Sequence, residues 1–130
     1  MNSKLMPLKM PGTWAIVCNS FADEDLIVQD GQIKNSHFYK EDLLSIERTF
    51  FVENIWCTLP IGHILDLGWY PDADPNGSYR LTLLRGDWDN VVLRFESKDR
   101  QKIRDVIEQC LELVVQEIDD QNIPHIIGRH

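Results

Sequence analysis

Between Ser78 and Asp120 the chain changes its hydrophobic period once, and that change restricts the fold more than any other feature. Tyr79, Leu81 and Leu83 alternate with Arg80, Thr82 and Leu84, the two-residue period of a half-buried strand. Gly86-Asp87-Trp88-Asp89-Asn90 has turn composition, and Val91, Leu93 and Phe95 then alternate with Val92, Arg94 and Glu96. Beyond Ser97 the period is helical. Ile103, Val106, Ile107, Cys110, Leu111, Val114 and Ile118 fall at i, i+3, i+4, i+7, i+8, i+11 and i+15, one apolar stripe wide enough to lie along a sheet. The spacing predicts a helix over 97–120, with Ser97 as N-cap and Asp99 in the first turn, where the helix dipole favours an anion. Residues 121–130 are expected to be a tail, because Pro124 cannot continue the helix.

Upstream the signals are those of strands. Residues 1–12 carry Pro7, Pro11 and Gly12 and are expected to be an irregular lead-in. Trp14–Cys18 is β-prone, and Asp30-Gly31 between Leu26–Gln29 and Gln32–Lys34 supplies the positive φ angles of a type I′ hairpin turn. Tyr39–Leu44 fits either a helical turn or a bulged strand. Ile46–Val52, Ile55–Leu59 and Ile64–Tyr70 read as strands, and Asp72–Gly77 as a loop. No βαβ alternation, repeat or linker occurs, so one α+β domain over 1–130 is expected. Its form is a strongly bent antiparallel sheet or small sandwich of about seven strands, closed by one long C-terminal amphipathic helix. A pleckstrin-homology-like roll is one version.

Charge narrows the partners. Lys and Arg number 13 against 21 Asp and Glu, a formal charge of −8, in a chain that is 43% hydrophobic. That field repels nucleic acid and anionic membrane surfaces and steers in a basic protein. Cys18, Cys57 and Cys110 form no CxxC pair and sit among apolar neighbours, which predicts buried free thiols in a reducing cytoplasm. The first residues lack the apolar run of a secretory signal, and no window reaches the length of a membrane span.

Candidate sites are few. Asp72-Ala73-Asp74-Pro75-Asn76-Gly77 opens like a calcium loop, but its twelfth position is Leu83 where a bidentate Glu is required, which leaves a polar turn. His37, His63, His125 and His130 are scattered, and His63 and Asp66 point to opposite faces of a strand. No nucleophile elbow, phosphate loop or metal set is assembled, so neither an enzyme nor a cofactor is expected. Trp88 stands at a hairpin tip between Asp87 and Asp89, either an anchor for a cationic partner or an indole folded onto its own strands. The helix is charged against its dipole. Lys98, Arg100, Lys102 and Arg104 lead, and Glu108, Glu112, Glu117, Asp119 and Asp120 trail, which fits a solvated face or a surface shaped for a partner.

The run Gly68-Trp69-Tyr70-Pro71-Asp72-Ala73-Asp74-Pro75-Asn76-Gly77-Ser78-Tyr79-Arg80-Leu81, with Gly86-Asp87-Trp88 and Phe95-Glu96-Ser97-Lys98-Asp99-Arg100, resembles immunity proteins of bacterial polymorphic toxins, those of contact-dependent growth inhibition above all. The resemblance covers about half the chain. It implies a small cytosolic protein that binds the C-terminal domain of its cognate toxin, often a basic nuclease, and blocks it without catalysis. Contact residues do not transfer within so diverse a family. On charge and position the candidates are Asp72, Asp74, Asp87, Trp88 and Asp89, from two loops at opposite ends of one strand. The alternative is a regulatory β-roll that binds a small ligand or peptide in an apolar cavity lined by Trp14, Trp56 or Trp69.

Overall fold

A computed structural model describes residues 4–128; the first three residues, Arg129 and His130 lie outside them. The elements in chain order are β1 (Trp14–Asn19), β2 (Val28–Gln29), β3 (Gln32–Ile33), β4 (Leu44–Val52), β5 (Ile55–Thr58), β6 (His63–Tyr70), β7 (Ser78–Arg85), β8 (Asp87–Ser97), α1 (Arg100–Val115) and α2 (Ile123–Ile127). Six strands form one antiparallel sheet in the order β1-β4-β6-β7-β8, with β5 paired to the far half of β4. Among the described residues β2 and β3 form a separate two-stranded sheet beside these six. Their turn is the one that Asp-Gly predicts: Asp30 and Gly31 both have positive φ, 55° and 76°.

The alternation in the sequence sets the sheet's two faces. Leu65, Leu67 and Trp69 of β6 sit opposite Leu83, Leu81 and Tyr79 of β7, and all six are buried. Leu44 and Ile46 of β4 extend this layer, and Ile103, Val106, Ile107, Cys110, Leu111 and Val114 of α1 join it in one apolar cluster. The helix stripe therefore faces the sheet as expected, lying along β7 and β8. Lys40–Leu43 resolves as an irregular extension of β4. The Trp69 N–H donates to Lys40 O and the Leu43 N–H to Leu67 O, at 2.7 and 2.9 Å. Glu41 bulges over Gly68, where any Cβ would stand 2.0 Å from the Glu41 carbonyl oxygen.

Both helix ends differ from expectation. The N-cap is Asp99, whose carboxylate accepts from the Gln101 and Lys102 N–H groups, while the Ser97 hydroxyl accepts from the Asp99 N–H one step earlier. The helix stops at Val115 because Glu117 turns left-handed, at φ 60°. The Ile118 N–H then reaches Leu113 O and the Glu117 N–H reaches Val114 O, a Schellman cap built without glycine. Nor is 121–128 an irregular tail. Pro124 falls in the first turn of α2, where its missing N–H has no intrahelical partner to lose, and Ile123 and Ile127 are buried. The cysteines divide: Cys110 is buried and its thiol is pushed up to about 12 by burial, but Cys18 is exposed and Cys57 half-buried. Both lie on strands at the sheet's margin, where apolar neighbours in sequence do not mean cover in space. Among the described residues no helix is long and apolar enough to cross a membrane.

Candidate functional site

The end of the sheet where β4 and β7 finish and β6 and β8 begin gathers most of the uncommitted chemistry. Here β7 and β8 are joined through Gly86, at φ 81°, a conformation that suits only glycine so close to Pro60 O. The register jumps from Arg85↔Asp87 to Leu84↔Val91, so Trp88, Asp89 and Asn90 loop out of the ladder. One Asp87 carboxylate oxygen accepts from the Asp89 N–H, at 2.9 Å, and from the Asn90 side-chain amide, at 3.2 Å, fixing the loop. Trp88 is left 57% exposed, so its indole does not fold back over its own strands.

Beside it the β4–β5 hairpin turns through Glu53 and Asn54, both at positive φ, and exposes apolar residues at its tip. Phe51 and Trp56 face each other across the two strands with ring centroids 5.3 Å apart, and are 58% and 59% exposed. Sequence reading places Trp56 in an apolar lining and misses this pair. The usable signal is Phe50-Phe51-Val52 followed by Glu53-Asn54, an apolar run on both faces of a strand next to a turn.

Between this end and the end of α1 lies an open cleft of about 520 Å³, lined by Arg48, Phe50, Ile61, His63, Arg85 and the segment 117–121. Asp120 is its hub. One carboxylate oxygen lies 2.7 Å from His63 Nε2, and since a carboxylate only accepts, that nitrogen carries the hydrogen. The other oxygen accepts from Arg85 Nε at 2.8 Å. Burial works to raise the Asp120 carboxyl, but the bonds from Arg85 and His63 outweigh it and hold the group below the usual carboxylate range. Burial holds His63 below its ordinary value, with the Asp120 bond opposing. Arg48 is occupied with the Thr13 hydroxyl and carbonyl and lies over the Trp14 ring, 5.7 Å from its centroid.

Two of the charges that the sequence set against the helix dipole are internal ties, and Asp120 lies beyond the end of α1. Asp120 is bound to Arg85 and His63, and Arg100 Nε donates to Asp23 at 2.9 Å while its Nη1 reaches Asp25. Of the predicted contact residues, the structure brings Asp87, Trp88 and Asp89 together at this end. Asp72 and Asp74 lie at the other end of β7, roughly 25 Å away along the strand. Asp72 is exposed, but Asp74 is absorbed by its own turn. Its carboxylate accepts from the Asn76 N–H and its carbonyl from the Gly77 N–H and the Trp69 indole. Trp14, Trp56 and Trp69 stand in three different surroundings. Trp14 is buried against Arg48, Trp69 is packed among Tyr39 and Tyr79, and Trp56 faces solvent.

The geometry defines an α+β protein with an apolar, acid-rimmed sheet end and, among the described residues, no set of groups placed to hold a metal ion. No family model, curated protein or solved structure matches the chain.

Proposed function

We propose that this chain is an immunity-type inhibitor of the cytoplasm, which binds a basic toxin domain and neutralises it by covering its active site, without catalysis of its own. The carrying observation is the β7–β8 tip, where an exposed indole stands between two exposed aspartates on a loop already fixed by the Asp87 carboxylate. A rigid aromatic flanked by carboxylates offers a desolvating anchor and an electrostatic guide at once. The formal charge of −8 supports the same reading, for a nuclease cleft is basic and acidic side chains can stand in for its phosphates. The sheet order with α1 across β7 and β8 supports the bent, helix-closed form of the fold, the platform that would hold this tip still.

The test takes as partner the C-terminal domain of an exported toxin, where the genome encodes one beside this chain. Asp87→Lys/Asp89→Lys is expected to slow association about tenfold at low salt, with the difference shrinking as salt rises. Association rates unchanged at every salt concentration would remove the tip from the interface. The ligand-binding alternative has the 520 Å³ cleft in its favour. A carboxylate ligand that raises the melting temperature of the chain, and loses that effect in Arg85→Gln, is what it requires.

A further inference from the structure

We infer that the β4–β5 hairpin is a second, apolar docking element, a ribbon whose Phe51–Trp56 pair anchors the chain to an apolar pocket on a basic protein domain. The inference rests on the binding reading above and adds to it the element that would hold the complex together.

The ribbon is the part of the sheet that runs beyond β1 and β6. β4 pairs with β1 and β6 only through Leu44–Arg48, and the last backbone tie on that side is the Thr49 N–H to Thr13 O at 2.8 Å. From there to Val52 its only partner strand among the described residues is β5. A two-stranded ribbon is marginal in water by itself, and polar side chains would be expected on both faces. Instead Phe51 and Trp56 project from one face, while Val52 and Ile55 pair on the other, Ile55 being 63% exposed. Four large apolar side chains within six residues are left in solvent.

The ribbon is continuous with the acidic tip. The Gly86 N–H donates to Gly62 O at 2.9 Å, tying the base of the β7–β8 turn to the segment that follows β5. Ile61 on that segment and Trp88 on the tip are exposed apolar side chains as well. The rim of this end is acidic. Glu53 caps the ribbon, Asp87 and Asp89 flank Trp88, and Glu117 and Asp119 line the adjoining cleft, all five exposed. The cations at this end are engaged within the fold, Arg85 by Asp120 and Arg48 by Thr13. Charge complementarity therefore selects the occupant. A basic protein domain gains from this rim, whereas a second copy of an acidic chain, an anionic bilayer or nucleic acid would be repelled by it.

The division of labour follows: the carboxylates govern the encounter and the aromatic pair governs residence. The experiment compares the intact chain with Phe51→Ser/Trp56→Ser against the same basic toxin domain that the test above takes as partner, reading association and dissociation rates, with hydrogen exchange of the wild-type complex. The inference expects dissociation faster by about 100-fold, association changed little, and amide protection gained across 50–58 on binding. A complex that forms with an unchanged dissociation rate and no protection at 50–58 would overturn the ribbon while leaving the binding reading intact. Absence of any complex with the wild type would bring down both. Sedimentation of the wild-type chain alone as a dimer that Phe51→Ser/Trp56→Ser makes monomeric would assign the ribbon to a second copy, and so overturn it too. Hydrogen exchange is made on the unaltered protein, so it reports on the ribbon even if the double variant misfolds.

Discussion

The two ends of the β6–β7 ladder use the same residue types for opposite purposes. At the Tyr70–Ser78 end, Trp69 and Tyr79 pack edge to face at 5.0 Å, Tyr39 joins them at 4.8 Å from Trp69, and Phe21 meets Tyr79 edge to face at 5.5 Å. The aspartate of the neighbouring loop is consumed there in holding the turn and receiving the indole N–H. At the His63–Arg85 end, aromatic residues face water and a buried histidine with an arginine is closed over by Asp120. A tryptophan beside aspartates is thus a structural unit at one end and an uncommitted surface at the other. What separates them is whether the loop can fold its backbone under the ring. Asp72–Gly77 curls back to give Trp69 an acceptor, whereas residues 88–90 leave the ladder and carry Trp88 away from it.

The largest effect expected from this contrast is in stability. Trp69→Ala removes a fully buried indole and one of the two hydrogen bonds that the Asp74 carbonyl accepts, a loss of about 3–5 kcal/mol. Trp88→Ala and Trp56→Ala, at the exposed end, should each change stability by no more than about 0.5 kcal/mol. Urea unfolding of the three variants at pH 7 decides it. Comparable losses for Trp69→Ala and Trp88→Ala would erase the distinction between the ends.

The same contrast explains which parts of the molecule could be read from the chain. Tyr79, Leu81 and Leu83, and the helix stripe from Ile103 to Val114, were legible because burial of one face enforces a period. Asp30-Gly31 was legible because a two-residue turn demands positive φ. The halt at Glu117 was not, for the Schellman cap uses a residue with no intrinsic preference for the left-handed region. Nor was α2, since a proline reads as a stop in one register and as a first turn in another. Of the site, the Asp87-Trp88-Asp89 tip was visible as an oddity of composition. The Asp120 ties were invisible because His63, Arg85 and Asp120 meet only after the sheet and helix have packed. Phe51 and Trp56 carry β-prone chemistry that suits a core strand, and only the pairing of β4 beyond the sheet exposes them.

Each end also has its own carboxylate–arginine tie, and these should differ in strength. Asp120 is about 29% exposed at the side chain and serves a His63 that is 8% exposed, so Asp120→Ala leaves a nearly buried ring nitrogen unpaired and should lower stability by about 1–3 kcal/mol. Asp25 is 88% exposed, and Asp25→Ala should change stability by less than about 0.5 kcal/mol despite its contact with Arg100. Acidification should find the same end. His63 is held below its ordinary 6.5, so the unfolded chain takes up that proton first and stability falls as pH drops below about 6.5. Asp120 is held below 3.8, so its contribution is present above that pH and is lost as pH falls further. Denaturation midpoints of Asp120→Ala should lack the lower of these two losses. An unaltered acid profile would mean that the tie does not hold the carboxylate down.

Midway between the ends, Asp66 sits on the other face of β6, opposite Ser45 and Thr82 on the flanking strands. Burial, with Asp42 adding like charge, pushes its carboxyl up to about 6. The sign is the reverse of that at His63. The folded state holds this proton more tightly than the unfolded chain, so the charged form is a burden at neutral pH that is relieved as pH falls from about 6 toward 3.8. Asp66→Asn should therefore raise stability at pH 7, by about 1 kcal/mol once solvent screening of a half-buried group is allowed for. The gain should vanish near pH 4, where the wild-type carboxyl is already neutral. It should also leave the His63-linked loss standing alone, steepening the fall in stability between pH 6.5 and 4 relative to wild type. A wild-type protein and Asp66→Asn with parallel pH profiles would show that the middle of the sheet is as indifferent to charge as its exposed end.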